Sequence, residues 1–423
     1  MLKLVLIGAS FLISRALLIA QPYEISLDSC LKWFGNHYPI YSQLQLQKKT
    51  EETQLASLSK SWYPQFSITG QASYQSDVTA IEIPIPNIPL PDPLSKDQYK
   101  FFTEISQLVY DGSSIKRQKN AFRVQSQMDY VKNEIEFYKA EGRIIALYFS
   151  ALLLNAQEKI NRYTLSDLDE QIVKLKASVE AGAILESSLF ALEAEKISLQ
   201  QRTEETSIKL QQVRQALSLM TGKTISAQIQ FLEPALPSLN TQMVRKELEW
   251  SNLFSQNAEM QWKLKQSQSL PKILFFGQAG YSNPALNFLK KGFDSYYIAG
   301  LRLQWNLSPF YTYSNDKEIL RLGKSMAVLQ KDLFLLNLQQ SIDEQVLEIE
   351  RLKKLMVSDQ FLLNYRKKIT ETARAQLEEG ILTSADYIRE LNNEEKAKVN
   401  AKFHTLQFIQ AHYTLNYFNG HSN

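Results

Sequence analysis

Between Gln65 and Gln75 the chain alternates apolar and polar side chains without a break. Phe66, Ile68, Gly70, Ala72 and Tyr74 fall on one side, and Ser67, Thr69, Gln71 and Ser73 on the other. A period of two with one apolar and one polar face predicts a β-strand. Residues 273 to 281 repeat the pattern less cleanly, with Ile273, Phe275, Ala279 and Tyr281 on the apolar side. Tyr297, Ala299, Leu301, Leu303 and Trp305 alternate with Ile298, Gly300, Arg302, Gln304 and Asn306 in a further strand. The stretch from Tyr99 to Tyr110 alternates early and slips near Ser106, a slip that a β-bulge there would explain.

The segments after these strands have a different rhythm. Proline is absent between Pro93 and Pro234 and again after Pro309, and both regions are rich in Ala, Leu, Glu, Gln and Lys. Such composition favours helix. One glycine breaks each region near its middle, Gly182 in the first and Gly380 in the second, which predicts helix, turn and returning helix. From Gly112 to about Val179 the first outgoing helix would be on the order of 100 Å long at 1.5 Å per residue. A helix of that length needs other helices packed along it. In the second region Ile342, Val346, Ile349, Leu352, Met356 and Leu363 follow mostly three- and four-residue steps, the seam of a coiled coil.

The pieces form an internal duplication. Pro64, Gly70, Gln71, Ala72 and Tyr74 recur at one constant offset as Pro271, Gly277, Gln278, Ala279 and Tyr281. Gln107 and Gln304 then correspond, as do Gly182 and Gly380, once the long Pro-rich loop Ile83 to Pro93 is allowed for. The expected organisation is an export signal over 1–20, a first helix–strand–strand–helix–helix repeat over 21–230, a linker over 231–240, and a second repeat over 241–423.

Composition changes this picture in three ways. The formal net charge is only +3, with both signs interspersed, so nothing recommends nucleic acid as a partner. One cysteine, Cys30, excludes an internal disulfide and any multi-cysteine metal site; a core-facing helical position accounts for it. Lys3, the apolar run Leu4 to Ile13 and Ala20 before Gln21 read as an export signal, although Arg15 and Leu18 depart from the pattern. Beyond residue 20 no stretch has the length and apolarity of a membrane-spanning helix, so a membrane would have to be crossed by strands.

Four strands with an apolar face cannot close a barrel, because membrane barrels begin at about eight strands. Open edges are not tolerated in lipid. Three copies give twelve strands, and cyclic symmetry closes the edges. A closed strand barrel continued by long helices is a conduit.

At this point the sequence resembles the TolC family of outer-membrane efflux proteins over nearly everything after the signal. Tyr63-Pro64-Gln65 looks like the family's helix-to-strand junction. Gln107-Leu108-Val109-Tyr110-Asp111-Gly112 looks like its strand-to-helix turn, with Gln304-Trp305-Asn306-Leu307-Ser308-Pro309 as the second-half equivalent. The run Glu379-Gly380-Ile381-Leu382-Thr383-Ser384-Ala385-Asp386-Tyr387 looks like its turn at the periplasmic tip. The resemblance implies a mixed α/β membrane protein of two structural repeats, each with two β-strands and long α-helices. Each chain would form one third of a twelve-stranded β-barrel continued by a periplasmic α-helical barrel. It also implies a homotrimer in outer-membrane lipid that docks on a periplasmic adaptor and an inner-membrane pump. Drugs, metals or other toxic compounds would be conducted passively, or proteins secreted. Docking would involve the tips at Gly182, Gly380, Leu382 and Thr383.

The family narrows its periplasmic aperture with rings of aspartate. Here Asp386 matches the first position, Arg389 occupies the second, and Ser188 stands where the first-half tip often carries Asp. Asp386 and Arg389 are spaced to pair on one helix face, so the reading of Asp386 as a gate competes with a solvated residue near a helix N-terminus. Tyr74, Tyr99, Tyr281, Tyr297 and Trp305 lie at strand ends, as membrane-interface aromatics do, although β-propensity alone also favours aromatics there. The histidines His37, His404, His412 and His421 form no metal-ligand spacing, and no phosphate loop or nucleophile elbow occurs. Glu193/Glu195 and Glu378/Glu379 read as solvated helix faces. No cofactor and no catalysis are expected. The competing reading is an exported coiled-coil scaffold without a channel.

Overall fold

The computed structural model describes residues 24–79, 93–239, 242–287, 289–290 and 292–420. The signal read over 1–20, the Pro-rich loop from Ile83 to Pro93 except Pro93 itself, and His421 lie outside the described residues. The elements run β1 (Glu24–Ile25), α1 (Leu27–His37), α2 (Pro39–Ser59), β2 (Gln65–Tyr74), β3 (Asp97–Tyr110), α3 (Ser114–Glu180), α4 (Glu186–Thr221), β4 (Gln230–Phe231), α5 (Lys246–Ser267), β5 (Lys272–Asn283), β6 (Asp294–Gln304), α6 (Pro309–Glu378) and α7 (Ser384–Asn419). The order α2–β2–β3–α3–α4 thus recurs as α5–β5–β6–α6–α7.

The long helices stop where glycine lets the backbone turn left-handed. Gly182 has φ 73° and Gly380 has φ 72°. Ala183 N–H donates to the Ser178 carbonyl at 2.9 Å and Ile381 N–H to the Gln376 carbonyl at 2.8 Å. Both ends therefore close with the same six-to-one bond of a Schellman cap, which needs a residue free of Cβ strain at positive φ. The start of α3 is built as firmly. The Asp111 carboxylate accepts from Ser113 N–H at 2.8 Å and from Ile115 N–H at 2.7 Å, satisfying donors that the first helical turn leaves open.

The chain packs as two compact units, each drawing on both sequence halves. One comprises the described parts of Met1–Ser42, Glu136–Arg245 and Leu336–Asn423. Its main core gathers Phe34 of α1, Ile144, Tyr148 and Phe149 of α3 and Leu217 of α4, all inaccessible to solvent. Such a side chain contributes about 1.5–3 kcal/mol by leaving water. The Tyr148 hydroxyl bonds the carbonyls of Ile25 at 2.8 Å and Leu232 at 2.6 Å, pinning the parallel β1–β4 ladder to α3. Cys30 is buried in this core, and burial pushes its thiol up to about 12. A second cluster near the glycine turns joins Leu168, Leu192, Leu199, Leu377, Tyr387 and Leu391. Along α6 the predicted seam turns inward at Leu352, with Ile342, Ile349, Met356 and Leu363 half-buried, while Val346 is exposed. Asp359 is buried beside that seam and meets His404 of α7 at 2.6 Å.

The other unit, Gln43–Ile135 with Lys246–Leu335, contains the four-stranded antiparallel sheet in the order β2-β3-β5-β6. Its helical part packs Met128, Val131 and Ile135 of α3 against Leu253 of α5, with Trp250 and Phe254 alongside. No helix among the described residues is long and apolar enough to cross a membrane.

Glu141 of α3 is half-buried, and burial pushes its carboxyl up to about 7. Its folded pKa lies above its ordinary 4.5, so the fold favours the protonated form. Stability from this group is full below the ordinary value and is lost as pH rises through about 7. Glu141→Gln should therefore be more stable than the parent at pH 8 by on the order of 1–2 kcal/mol. Urea midpoints measured from acid to alkaline pH should converge towards the low end.

Candidate functional site: strand layer and helix tips

Directly paired residues of neighbouring antiparallel strands share a face. The observed register therefore assigns both faces of the sheet. Rows such as Ile68–Thr103–Ala279–Tyr297 and Gly70–Phe101–Tyr281–Ser295 define one face. This face is apolar, carries Phe66, Ile68, Phe101, Leu301 and Leu303 exposed, and has Asp97 as its only charged strand residue, at one end. Rows such as Ser67–Glu104–Gln278–Ile298 define the opposite face, which is polar with inlaid aromatic rings.

The bulge lies between Leu108 and Tyr110, not near Ser106. Through Ser106 and Leu108 the register is regular. The apparent slip arises because Phe102 and Leu108 are apolar residues on the polar face and Gln107 a polar one on the apolar face. Gln107 occupies its place because its side-chain amide donates to the Trp62 carbonyl at 2.6 Å. Tertiary bonding, not strand irregularity, breaks the alternation.

Tyr74, Tyr99, Tyr281 and Tyr297 all lie on the apolar face towards the loop end of the strands and are exposed. Tyr281 stacks on Phe293 at 5.3 Å, and Tyr99 approaches the same ring at 6.0 Å. Trp305 falls one residue beyond β6 at the opposite, helix end, where its Nε1–H donates to the Ser269 carbonyl at 2.9 Å. The aromatics thus occupy both rims. Exposed Trp62, Tyr63 and Tyr110 belong to the helix-side rim as well. They were findable as aromatic residues flanking the alternating runs.

At the second-half tip, Thr383 caps α7. Its hydroxyl accepts from Asp386 N–H at 3.2 Å and lies 2.7 Å from Asp386 Oδ2. The other carboxylate oxygen meets Arg389 at 3.1 Å, and Arg389 also approaches Glu390 at 3.4 Å. Both oxygens of Asp386 are thus engaged within the first turn. The equivalent N-cap of α4 is Leu185, which has no side-chain cap bond and is 76% exposed. Ile381 is exposed to the same degree, 75%, whereas Leu382 is half-buried against the tip cluster. Sequence reasoning singled out Leu382 and missed Leu185 and Ile381. The available signal was an apolar residue at a turn position where Ser, Thr or Asp would cap better.

Polar bonds tie the tip helices pairwise. Lys174 of α3 meets Glu378 of α6 at 2.7 Å, and Arg374 of α6 lies 3.5 Å from Asp167 of α3. The fully buried Tyr387 sits against Arg374, and burial raises its phenol above the ordinary value. Asn392 of α7 donates to Glu195 of α4 at 3.2 Å, and Arg202 meets the same carboxylate at 3.0 Å. Glu195 is therefore a helix-to-helix contact, not the solvated residue expected; the exposed Glu193 fits that expectation. Among the described residues no three His, Cys, Asp or Glu side chains gather as a metal site would require.

Most of the chain superposes on solved outer-membrane channels. The outer membrane protein VceC of Vibrio cholerae aligns with a TM-score of 0.68 at 12% identity, covering 93% of this chain and 96% of that one. The CmeC outer membrane channel of Campylobacter jejuni aligns at 0.67 and 16% identity, covering 93% and 86%. The open-state MtrE outer membrane channel of Neisseria gonorrhoeae aligns at 0.67 and 12% identity, covering 93% and 88%. No protein-family model and no curated protein matches the chain. The chain therefore has the fold of these outer-membrane channel chains, the fold expected from its duplicated strand–helix pattern.

Thr383→Ala removes the α7 cap and should cost about 1 kcal/mol of local stability. Amide exchange at Asp386 and Tyr387 should accelerate accordingly. Leu185→Asp should slow exchange in the first turn of α4 by supplying the missing cap.

Proposed function

We infer that this chain is one protomer of a trimeric outer-membrane duct that conducts small molecules outward from the periplasm and carries out no chemical step. One observation carries the reading: a four-stranded sheet with an apolar face whose only charged strand residue, Asp97, lies at one end, a polar opposite face and two unpaired edges, on β2 and β6. The strand directions alternate along β2-β3-β5-β6, so β6 of one copy meets β2 of the next antiparallel. Three copies then close twelve strands with the apolar face to lipid, satisfying every edge group.

The exposed side of α6 supports the same assembly. Ile319, Leu322, Met326, Leu329, Leu333 and Leu336 step by threes and fours along one stripe, and every one of them is exposed. A soluble surface rarely leaves so long an apolar line open, and a neighbouring copy's helix would cover it. A coiled-coil scaffold would use this stripe too, but it gives no purpose to the two-faced sheet.

In the duct, export of the precursor, residence in the outer membrane and a periplasmic helical extension follow from the channel fold. The helix tips are the ends offered to a periplasmic adaptor and, through it, an inner-membrane pump. The exposed Leu185 and Ile381 supply apolar contact there, with Gly182 and Gly380 shaping the turns. Asp386 contributes a three-fold acidic ring at the aperture whose charge is offset by Arg389. The tyrosines at the loop-side rim and Trp305 at the helix side anchor the barrel at the two lipid interfaces.

The detergent-extracted protein should run at three times the chain mass after allowance for detergent, and should come from the outer-membrane fraction. Recovery as a soluble monomer would remove the barrel and return the scaffold reading. Leu329→Glu with Leu333→Glu should lower the trimer fraction at a given protein concentration. Asp386→Ala should raise the resting conductance of the reconstituted protein; an unchanged conductance would show that the carboxylate does not gate.

A further inference from the structure

The inner face of the sheet, in the duct proposed above, carries an organised set of charges that the channel fold does not require. Its charged strand residues are Lys100, Lys272 and Arg302 against Glu104 and Asp294. Asp294 is taken by Lys290 of the adjoining loop at 2.6 Å. Glu104 accepts a hydrogen bond from Gln278 and lies 3.9 Å from Arg302, too far for a direct charged hydrogen bond. Cationic charge is therefore in excess along this face.

Two of the cations are held in place by aromatic rings. The Phe276 ring lies over Gly300, where a Cβ would come within 3.2 Å of it, and the Arg302 guanidinium sits 4.6 Å above that ring. Lys100 Nζ is 5.0 Å from the Phe102 ring and 5.7 Å from the Tyr296 ring. Phe102 and Tyr296 flank Gly280 in a single row, and a Cβ on Gly280 would come within 2.5 Å of the Phe102 Cβ. The Tyr296 hydroxyl is buried without a hydrogen-bond partner, a spare donor beside Lys100. Cation–ring contact restrains the long side chains without neutralising them, because a ring quadrupole carries no net charge. Lys100 has no carboxylate within ion-pair distance among the described residues, and Arg302 is offset only by Glu104 at 3.9 Å; both face a narrow bore walled by low-dielectric protein, where field lines concentrate.

We propose that Lys100 and Arg302, seated on the rings of Phe102, Tyr296 and Phe276, form a cationic belt inside the strand barrel that selects anionic over cationic solutes. The inference rests on the duct reading, since only closure brings three copies of the belt around one bore. Its sense is opposite to that of an acidic aperture, and the tip does not counter it because Asp386 is paired with Arg389.

The test is the reversal potential of the purified full-length protein in planar bilayers of neutral lipid under a KCl gradient at low ionic strength, where screening is weakest. The expected result is a chloride-to-potassium permeability ratio of roughly three. Lys100→Gln with Arg302→Gln should bring the ratio to unity or below while current persists, and Glu104→Gln should raise it. A conducting channel that prefers potassium overturns the inference and leaves the duct standing. A chloride preference unmoved by the double substitution also overturns it, by removing the belt as the cause. Membrane-inserted protein that passes no current at any voltage overturns the duct reading, and this inference with it.

Discussion

The unpaired edges of β2 and β6 govern the rest of the structure. Each edge presents a row of backbone donors and acceptors beside an apolar face, and a bilayer offers those groups nothing to bond with. A sheet so built must join its edges to other strands. Among the described residues the only other strands, β1 and β4, are two-residue pieces paired with each other. Self-association through the edges is the solution that the alternating strand directions permit. The even number of strands per copy matters here, since an odd number would bring parallel edges together at each junction.

The helices answer the same requirement in another form. Each strand pair passes directly into a helix of 67 or 70 residues, α3 or α6. Neither helix has an inward apolar face strong enough to stand alone, and each is partnered along part of its length within the chain. The line of exposed leucines on α6 is what remains once the internal packing is complete. Strand edges and helix stripe are thus two incomplete surfaces of one protomer.

Much of this was legible in the sequence because period two and the absence of proline are strong local signals. The alternating run from Phe66 to Tyr74 and the glycines at 182 and 380 marked strand and helix ends nearly to the residue. The register was not legible, since pairing is decided between segments far apart in sequence. For the same reason the bulge was misplaced: Gln107 breaks the alternation through a bond to Trp62, a contact that no pattern within the strand announces. At the tips, the pairing of Asp386 with Arg389 followed from helical spacing. The cross-helix bond of Glu195 and the exposure of Leu185 did not, because both depend on which helix lies opposite.

Gly300 connects packing to the charge lining the proposed bore. The Phe276 ring rests against the backbone only because residue 300 has no side chain, and Arg302 rests in turn on the ring. A methyl at position 300 would displace the ring by a few tenths of an ångström and carry the charge with it, in each copy of the proposed barrel. Ring position and the height of the Arg302 charge in the proposed bore are therefore coupled through the same missing atom. A change at this one position would shift the Arg302 charge within the proposed bore without exchanging any charged residue.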